Sequence, residues 1–474
     1  MSVAARPGQI VQAIMGRVLP GVCIQDVRAM PSQRHQKLYG VQSSDGSQFL
    51  ITFSTSRIAR SLRSEQGSIS SEAAVLSWLA ALSVDKASTH ETDPTAEVTE
   101  AAGPSQCSEG CMSTDTSNEV PSQLAIFIPI LVAHLPLPNE MGVAYNVMKP
   151  TSGSLIAGIH PGLSSGERRA VDIQIGQLYR KLCRLVSPTG RFGPVSELLP
   201  SPTVPLAEQP IPSARCAVHG TSIKPGGISS WPTAFHSMLE AVLRDGEDMA
   251  IMLGYTTIRR HFKRLKPALD GVVSPRLVAI DIGSDINMLV VREEQPPEAV
   301  PVPPRQSPDR EAGGHKCTQS DGDDVKENDG QCSRRVSDGG EDARFGTQGC
   351  VTVRGMKDWS NFIFGDPLFA AAFSQDPSEE FLEGFRGVSD NAKASDPTLA
   401  TVSLPSLVED EPNAPIRLLF YECYHTVTQI VSEFYRPQWD SSQRELAARK
   451  KLNNVLGRLA EVGDVGVPLT TDSK

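Results

Sequence analysis

Pro275-Arg276-Leu277-Val278-Ala279-Ile280-Asp281-Ile282-Gly283-Ser284-Asp285-Ile286-Asn287-Met288-Leu289-Val290 is the stretch whose reading decides the fold. An apolar strand runs into Asp281, a short turn follows, and Asn287 opens a second strand. Downstream, Gly355-Met356-Lys357-Asp358-Trp359 places an Asp before an aromatic residue after another strand, and Gly365-Asp366-Pro367 follows it. Phosphoryl transfer from ATP uses such a set: an acid near the attacking hydroxyl, and an Asn and an Asp to hold magnesium against the phosphates.

The 474 residues suffice for two or three domains. A formal charge of −10 excludes nucleic acid as the main partner, because phosphate binding needs a concentrated basic surface. The run Arg259-Arg260-His261-Phe262-Lys263-Arg264-Leu265-Lys266 reads as the solvated face of a helix. No apolar stretch approaches the ~20 residues that span a bilayer, so no membrane partner is expected. The N-terminus lacks the layout of a signal peptide. Nine cysteines, an odd number scattered along the chain, imply reduced thiols and a cytoplasmic protein.

Two segments, 83–122 and 295–349, are too poor in large apolar residues to offset their ordering entropy and read as disordered insertions. The remainder falls into two lobes. Residues 1–148 predict a small lobe: a helix over 8–20, strands at Leu38–Val41 and Gln48–Phe53 around a Ser43–Ser47 turn, a helix from Ser68 to Leu79, and strands at 126–132 and 144–148. Residues 149–474 predict a mostly helical lobe. Val171, Ile175, Leu178, Leu182 and Leu185 form one helical stripe, and Phe420, Cys423, Val427, Ile430, Val431 and Phe434 form another. Further helices are predicted over 231–244, 257–265 and 445–459. The acidic cluster Asp245, Glu247 and Asp248 reads as a solvated loop.

This order of elements, with Arg63-Ser64-Glu65-Gln66…Ser71-Glu72-Ala73-Ala74-Val75-Leu76-Ser77-Trp78-Leu79, Pro275-Arg276-Leu277-Val278 and Asp358-Trp359…Gly365-Asp366-Pro367-Leu368-Phe369, resembles the aminoglycoside phosphotransferase family, in particular its large fungal-type branch. The resemblance covers nearly all of the chain outside the two insertions. It implies an α+β, two-lobed, protein-kinase-like fold, with ATP and magnesium as cofactors and a small-molecule hydroxyl as acceptor. Asp281 would be the catalytic acid that receives the hydroxyl proton. Asn287 and Asp358 would hold magnesium, and Asp366 would be structural. Met148 would back the nucleotide pocket, Lys149 to Thr151 would be the hinge at adenine, and Glu72 would be the small-lobe helix Glu that pairs with a strand lysine.

The departures from that pattern are specific. Thr52 stands where the phosphate-gripping lysine is expected, and Ala279 where a His is expected. Asp281 and Asn287 are six apart where the family has five, which makes Asp285 a second metal candidate. Lys357 replaces an apolar residue, and residues 24–42 hold no glycine-rich phosphate loop. Without a lysine partner, Glu72 reads as a solvated helix residue. Arg57, Arg60 and Arg63 are the candidate substitutes for the missing charge. Two functions follow from the residues: a phosphotransferase that moves the ATP γ-phosphate to a small-molecule hydroxyl, or a catalytically impaired, pseudokinase-like binding or scaffold protein.

Overall fold

The structure, a computed structural model, describes residues 7–32, 34–54, 61–84, 123–136, 143–202, 226–293, 350–387 and 407–463. The segment 295–349, all but the first two residues of 83–122, and the candidates Arg57 and Arg60 lie outside these residues. Contacts divide the chain into a body, residues 1–291 with 351–474, and a second unit, Arg292–Cys350. The body carries all that follows.

Helix α1 (Pro7–Val18) precedes strands β1 (Ile24–Met30), β2 (Lys37–Ser43) and β3 (Gln48–Phe53), helix α2 (Ser68–Val84), and strands β4 (Ile130–Leu135) and β5 (Tyr145–Lys149). The five strands form one antiparallel sheet in the order β1-β2-β3-β5-β4. Strand alternation sorts its two faces. Phe49, Ile51 and Phe53 of β3 and Tyr145 and Val147 of β5 pack with Val11, Ile14 and Met15 of α1. Leu50 and Met148 join the other core, with Val75, Leu76 and Leu79 of α2. The sheet therefore has a helix on each face, where the sequence suggested one. Strand β1 escaped the sequence reading because it is an edge strand with mostly half-exposed residues, so Ile24-Gln25-Asp26-Val27-Arg28-Ala29-Met30 shows no apolar alternation. Helix α2 is buried along most of its length, Glu72 included.

The larger part is helical. It contains α3 (Ser165–Cys183), α4 (Trp231–Asp248), α5 (Tyr255–Leu265), α6 (Glu379–Arg386), α7 (Ala414–Tyr435) and α8 (Ser441–Glu461). Helix α3 starts on a capping box: Ser164 and Glu167 each accept the other's backbone N–H. Two small sheets sit among the helices. One pairs β6 (Ser154–Leu155), β9 (Met288–Glu293) and β10 (Cys350–Met356), and the other pairs β7 (Gly193–Pro194), β8 (Arg276–Ala279) and β11 (Phe362–Gly365). The architecture is thus mixed α+β, a small antiparallel sheet with a larger helical part, as the sequence predicts. Asp281 and Asn287 lie in the β8–β9 connection, and Asp358 in the β10–β11 connection.

Beneath these loops, Asp366 and Arg417 form a fully buried ion pair at 2.8 Å. Tyr421 donates to the same carboxylate oxygen at 2.7 Å, and Trp231 donates its indole N–H to Tyr421. Burial pushes the Asp366 carboxyl up and the guanidinium holds it down. Asp366 also caps the short turn Pro367–Phe369 through the Leu368 N–H, so its role in the fold is to anchor α7 and α4 under the antiparallel β8–β11 strand pair.

Candidate functional site

The β8–β9 connection turns through Gly283, whose φ of +82° suits a residue without a Cβ. The turn continues with the Asn287 N–H donating to the Ser284 carbonyl. Six positions separate Asp281 from Asn287 across this turn. Asn287 reaches Asp358, but with its amide turned to the backbone. Its Oδ1 accepts from the Asp358 N–H at 2.8 Å and its Nδ2 donates to the Asp358 carbonyl at 3.3 Å. Asp285, the alternative metal candidate, pairs with Arg168 of α3 at 2.6 Å.

The Asp358 carboxylate is also engaged. Ser360 gives it a backbone N–H at 2.9 Å and its hydroxyl at 2.6 Å. Gln36, from the β1–β2 connection and 4% exposed, donates its amide to Asp358 at 3.0 Å and to the Ser360 hydroxyl at 2.8 Å. Beside it, the buried Lys357 ammonium donates to the carbonyls of Pro31 and Ile286. Burial lowers the Lys357 pKa and Asp358 opposes the shift. The β1–β2 connection, where a phosphate loop was sought, is therefore fastened onto the acidic loops by one glutamine and one lysine.

Asp281 and Asp358 do converge. With Arg34, Ile286, Asn287 and Lys357 they line one small cleft of about 10 Å³, room for roughly one water. Asp281 accepts the Asn361 amide at 2.7 Å. Burial raises its pKa, the Arg34 guanidinium and Asn361 pull it down in part, and Asp358 adds to the rise. Asp281 and Arg34 also line a second, much larger cavity of about 850 Å³, walled by α2, α4, α7 and the start of α8.

Glu72 corrects the sequence reading: it is fully buried, not solvated. Its carboxylate accepts from Asn146 at 2.9 Å and from the Trp359 N–H at 3.3 Å. Asn146 faces Thr52 across β3 and β5 and is held by His134 at 2.7 Å. It supplies Glu72 with the donor that a strand lysine would have given. The Thr52 hydroxyl favours the charged carboxyl slightly, yet has no hydrogen-bond partner of normal geometry among the described residues. Burial, reinforced by the Asp358 charge, pushes the Glu72 pKa to about 8.

The remaining nucleotide-side residues are placed as follows. Met148 is 0% exposed and shares one core with Leu38, Leu50, Met288 and Met356, none above 3%. Lys149 is exposed at the end of β5, and the Thr151 hydroxyl is buried without a partner among the described residues. Arg63 points to α4, pairing with Asp245 at 2.5 Å and Asp248 at 2.8 Å. The acidic cluster is thus a paired helix end rather than a solvated loop, with Glu247 on Arg259 at 2.7 Å. Arg34 escaped the sequence reading. Its signal was an arginine in the strand connection that the fold lays over Asp281.

These residues do not accommodate magnesium in the arrangement described. Magnesium requires an octahedral oxygen shell of carboxylates, phosphates and waters. Here the Asn287 amide is spent on backbone, the Asp358 carboxylate on Gln36 and Ser360, an ammonium stands beside them, and the cleft holds about one water. Among the described residues, no group of three or more His, Cys, Asp or Glu side chains is placed to hold a metal.

No described protein family matches the chain, and no curated protein matches it. Solved structures with a similar chain path do exist. One is a Haemophilus somnus protein assigned as a fructosamine-3-kinase: 11% identity, TM-score 0.46, covering 94% of this chain and 96% of that one. Another is a thermostable mutant of the aminoglycoside phosphotransferase APH(4)-Ia: 11% identity, TM-score 0.43, covering 93% and 96%. A third is APH(2")-IIia, solved with GDP and kanamycin: 10% identity, TM-score 0.44, covering 94% and 99%. At these values the likeness is one of chain path, and the reading of the site rests on this chain's own residues.

Proposed function

We propose that this chain is a phosphotransferase-type protein, of the aminoglycoside phosphotransferase kind and its fungal-type branch, whose acceptor side survives while its nucleotide side has closed. It binds a small hydroxylated molecule in the large cavity beside Asp281, and phosphoryl transfer is impaired. The carrying observation is the closure over Asp358 by Gln36 and Lys357, together with the spent Asn287 amide. Thr52 in place of a lysine and the filled core around Met148 support the same reading.

The enzyme reading, transfer from ATP to the bound hydroxyl, has one observation in its favour: Asp281 lines both the small cleft and the large cavity. It requires the β1–β2 connection to lift. A cytoplasmic setting is supported by Cys23, Cys183, Cys350 and Cys423 all being free, and no helix among the described residues is long and apolar enough to cross a membrane.

The test is a thermal shift of the full chain with ATP, with and without magnesium, since a ligand of the native state raises stability by mass action. The native protein should show no magnesium-dependent shift at millimolar ATP. Thr52→Lys should create one only if Glu72 and the cleft can rearrange around it, and Asp358→Ala should then remove it. A native shift corresponding to micromolar affinity would overturn the closed reading and move the enzyme reading ahead.

A further inference from the structure

Ser201, His134 and Asn146 form a chain of side-chain hydrogen bonds whose direction is fixed from its buried end. Nδ2 of Asn146 lies 2.9 Å from the Ile69 carbonyl and 2.9 Å from the Glu72 carboxylate. A carbonyl only accepts, so this atom is the amide NH₂, and both its protons are committed. The Asn146 oxygen is left facing Nδ1 of His134 at 2.7 Å. An acceptor there places the imidazole proton on Nδ1 and leaves the Nε2 lone pair free. Nε2 lies 3.2 Å from the Ser201 hydroxyl, so with a neutral ring that hydroxyl is the donor.

The surroundings favour this polarity. His134 of β4 and Asn146 of β5 are opposite partners in the strand register, 4% and 0% exposed, which holds the ring in place. Burial lowers the His134 pKa below its ordinary 6.5, the bond to Asn146 opposes the shift, and the Glu72 carboxyl stands behind Asn146. The ring is therefore neutral at neutral pH. Ser201, by contrast, is exposed. It lies just past the helical turn Val195–Leu198, between Pro200 and Pro202. Proline fixes its own φ and confines the residue before it to extended backbone, so the position of Ser201 is restrained from both sides.

A serine hydroxyl on a neutral imidazole, whose other nitrogen is oriented by a third side chain, is the arrangement of an activated nucleophile. The trio contains no cation, and phosphoryl transfer depends on cations around the transferred group, so a carbonyl carbon is the electrophile it suits. We propose that Ser201 is a nucleophile with His134 as its general base and Asn146 as the residue that sets the base's tautomer, and that it takes acyl groups from small activated esters. Oγ of Ser201 bonds to the carbonyl carbon while its proton passes to Nε2 of His134. The bond to the leaving group breaks, and Nε2 gives the proton to the departing alkoxide. Water then attacks the acyl-serine, losing a proton to Nε2, and that proton returns to Oγ as the carboxylic acid leaves. Ester and water become acid and alcohol.

The experiment treats the full chain with p-nitrophenyl acetate, following p-nitrophenolate release, and with a fluorophosphonate probe, from whose phosphorus the same Oγ displaces fluoride and stays bonded. Peptide mass mapping should place one phosphonyl group per chain at Ser201. Ser201→Ala, at an exposed residue, should abolish it without moving the melting temperature. His134→Gln should slow labelling by about 10²-fold or more. In the native chain the labelling rate should be level from about pH 7 to 9 and fall at lower pH as the imidazole takes up a proton. An unmodified Ser201, or an unchanged rate in His134→Gln, would overturn the proposal. So would a native rate that climbs about tenfold per pH unit from 7 to 9, the mark of hydroxide rather than imidazole as the base. The pH profile is read on the native chain and decides the matter even if His134→Gln does not fold. Failure leaves the phosphotransferase reading untouched, because Ser201 lines neither the small cleft nor the large cavity.

Discussion

Glu72 should make this protein lose stability as the pH rises through neutrality. In the unfolded chain its carboxyl titrates near the ordinary 4.5, and in the native state near 8. The native form therefore holds a proton that the unfolded form has released across that interval. Stability from this group is fully present below the unfolded value and is lost as the pH climbs through the native one. At ~1.36 kcal/mol per pH unit the interval sets an upper bound of about 5 kcal/mol. Burial is the larger cause of the rise and the Asp358 charge adds to it. The perturbation is Glu72→Gln, and the measurement is urea denaturation of both proteins at a series of pH values from about 5 to 9. The amide must turn its NH₂ toward Asn146 or the Trp359 N–H, both donors, so the variant starts less stable. The diagnostic quantity is the slope: the native protein should fall by up to ~1 kcal/mol per pH unit more steeply than the variant. Parallel profiles for the two proteins would refute the reasoning.

Other outcomes follow from the same packing. Arg417→Met leaves the buried Asp366 carboxylate with only a hydroxyl and an N–H, and should cost about 3–5 kcal/mol in denaturant titration. Gly384→Ala would place a Cβ 2.1 Å from the Ile173 carbonyl where α6 crosses α3, so it should lower stability by about 1–3 kcal/mol or more, read as a fall in melting temperature. Trp439→Ser, at a side chain 95% exposed, should change stability by no more than ~0.5 kcal/mol while removing the most solvent-exposed tryptophan fluorescence among the described residues.

The sequence by itself determined most of the elements and their order, though not β1 or α6. Helix periodicity in α3 and α7, alternation in β3 and β5, and the Asp-turn-Asn and Asp-aromatic loops are local patterns, set by backbone sterics and by which side of an element is apolar. That Asp281, Asn287 and Asp358 share one cleft was an expectation of the family resemblance, and it is the packing of the β8–β9 and β10–β11 connections that lines the cleft with them. Tertiary structure alone decided what those residues are free to do. Gln36 reaches Asp358 across 322 positions, and Lys357 reaches Pro31 across 326. Asn146, 74 positions from Glu72, replaced the donor whose absence had made that glutamate read as solvated. Asp245 looked like a loop charge until Arg63, 182 positions away, met it. In each case a buried polar group takes whichever partner the fold presents, and desolvation makes that pairing obligatory. A spacing rule sees only neighbours along the chain, so it can find the acids of a site and cannot see the side chains from other elements that close it.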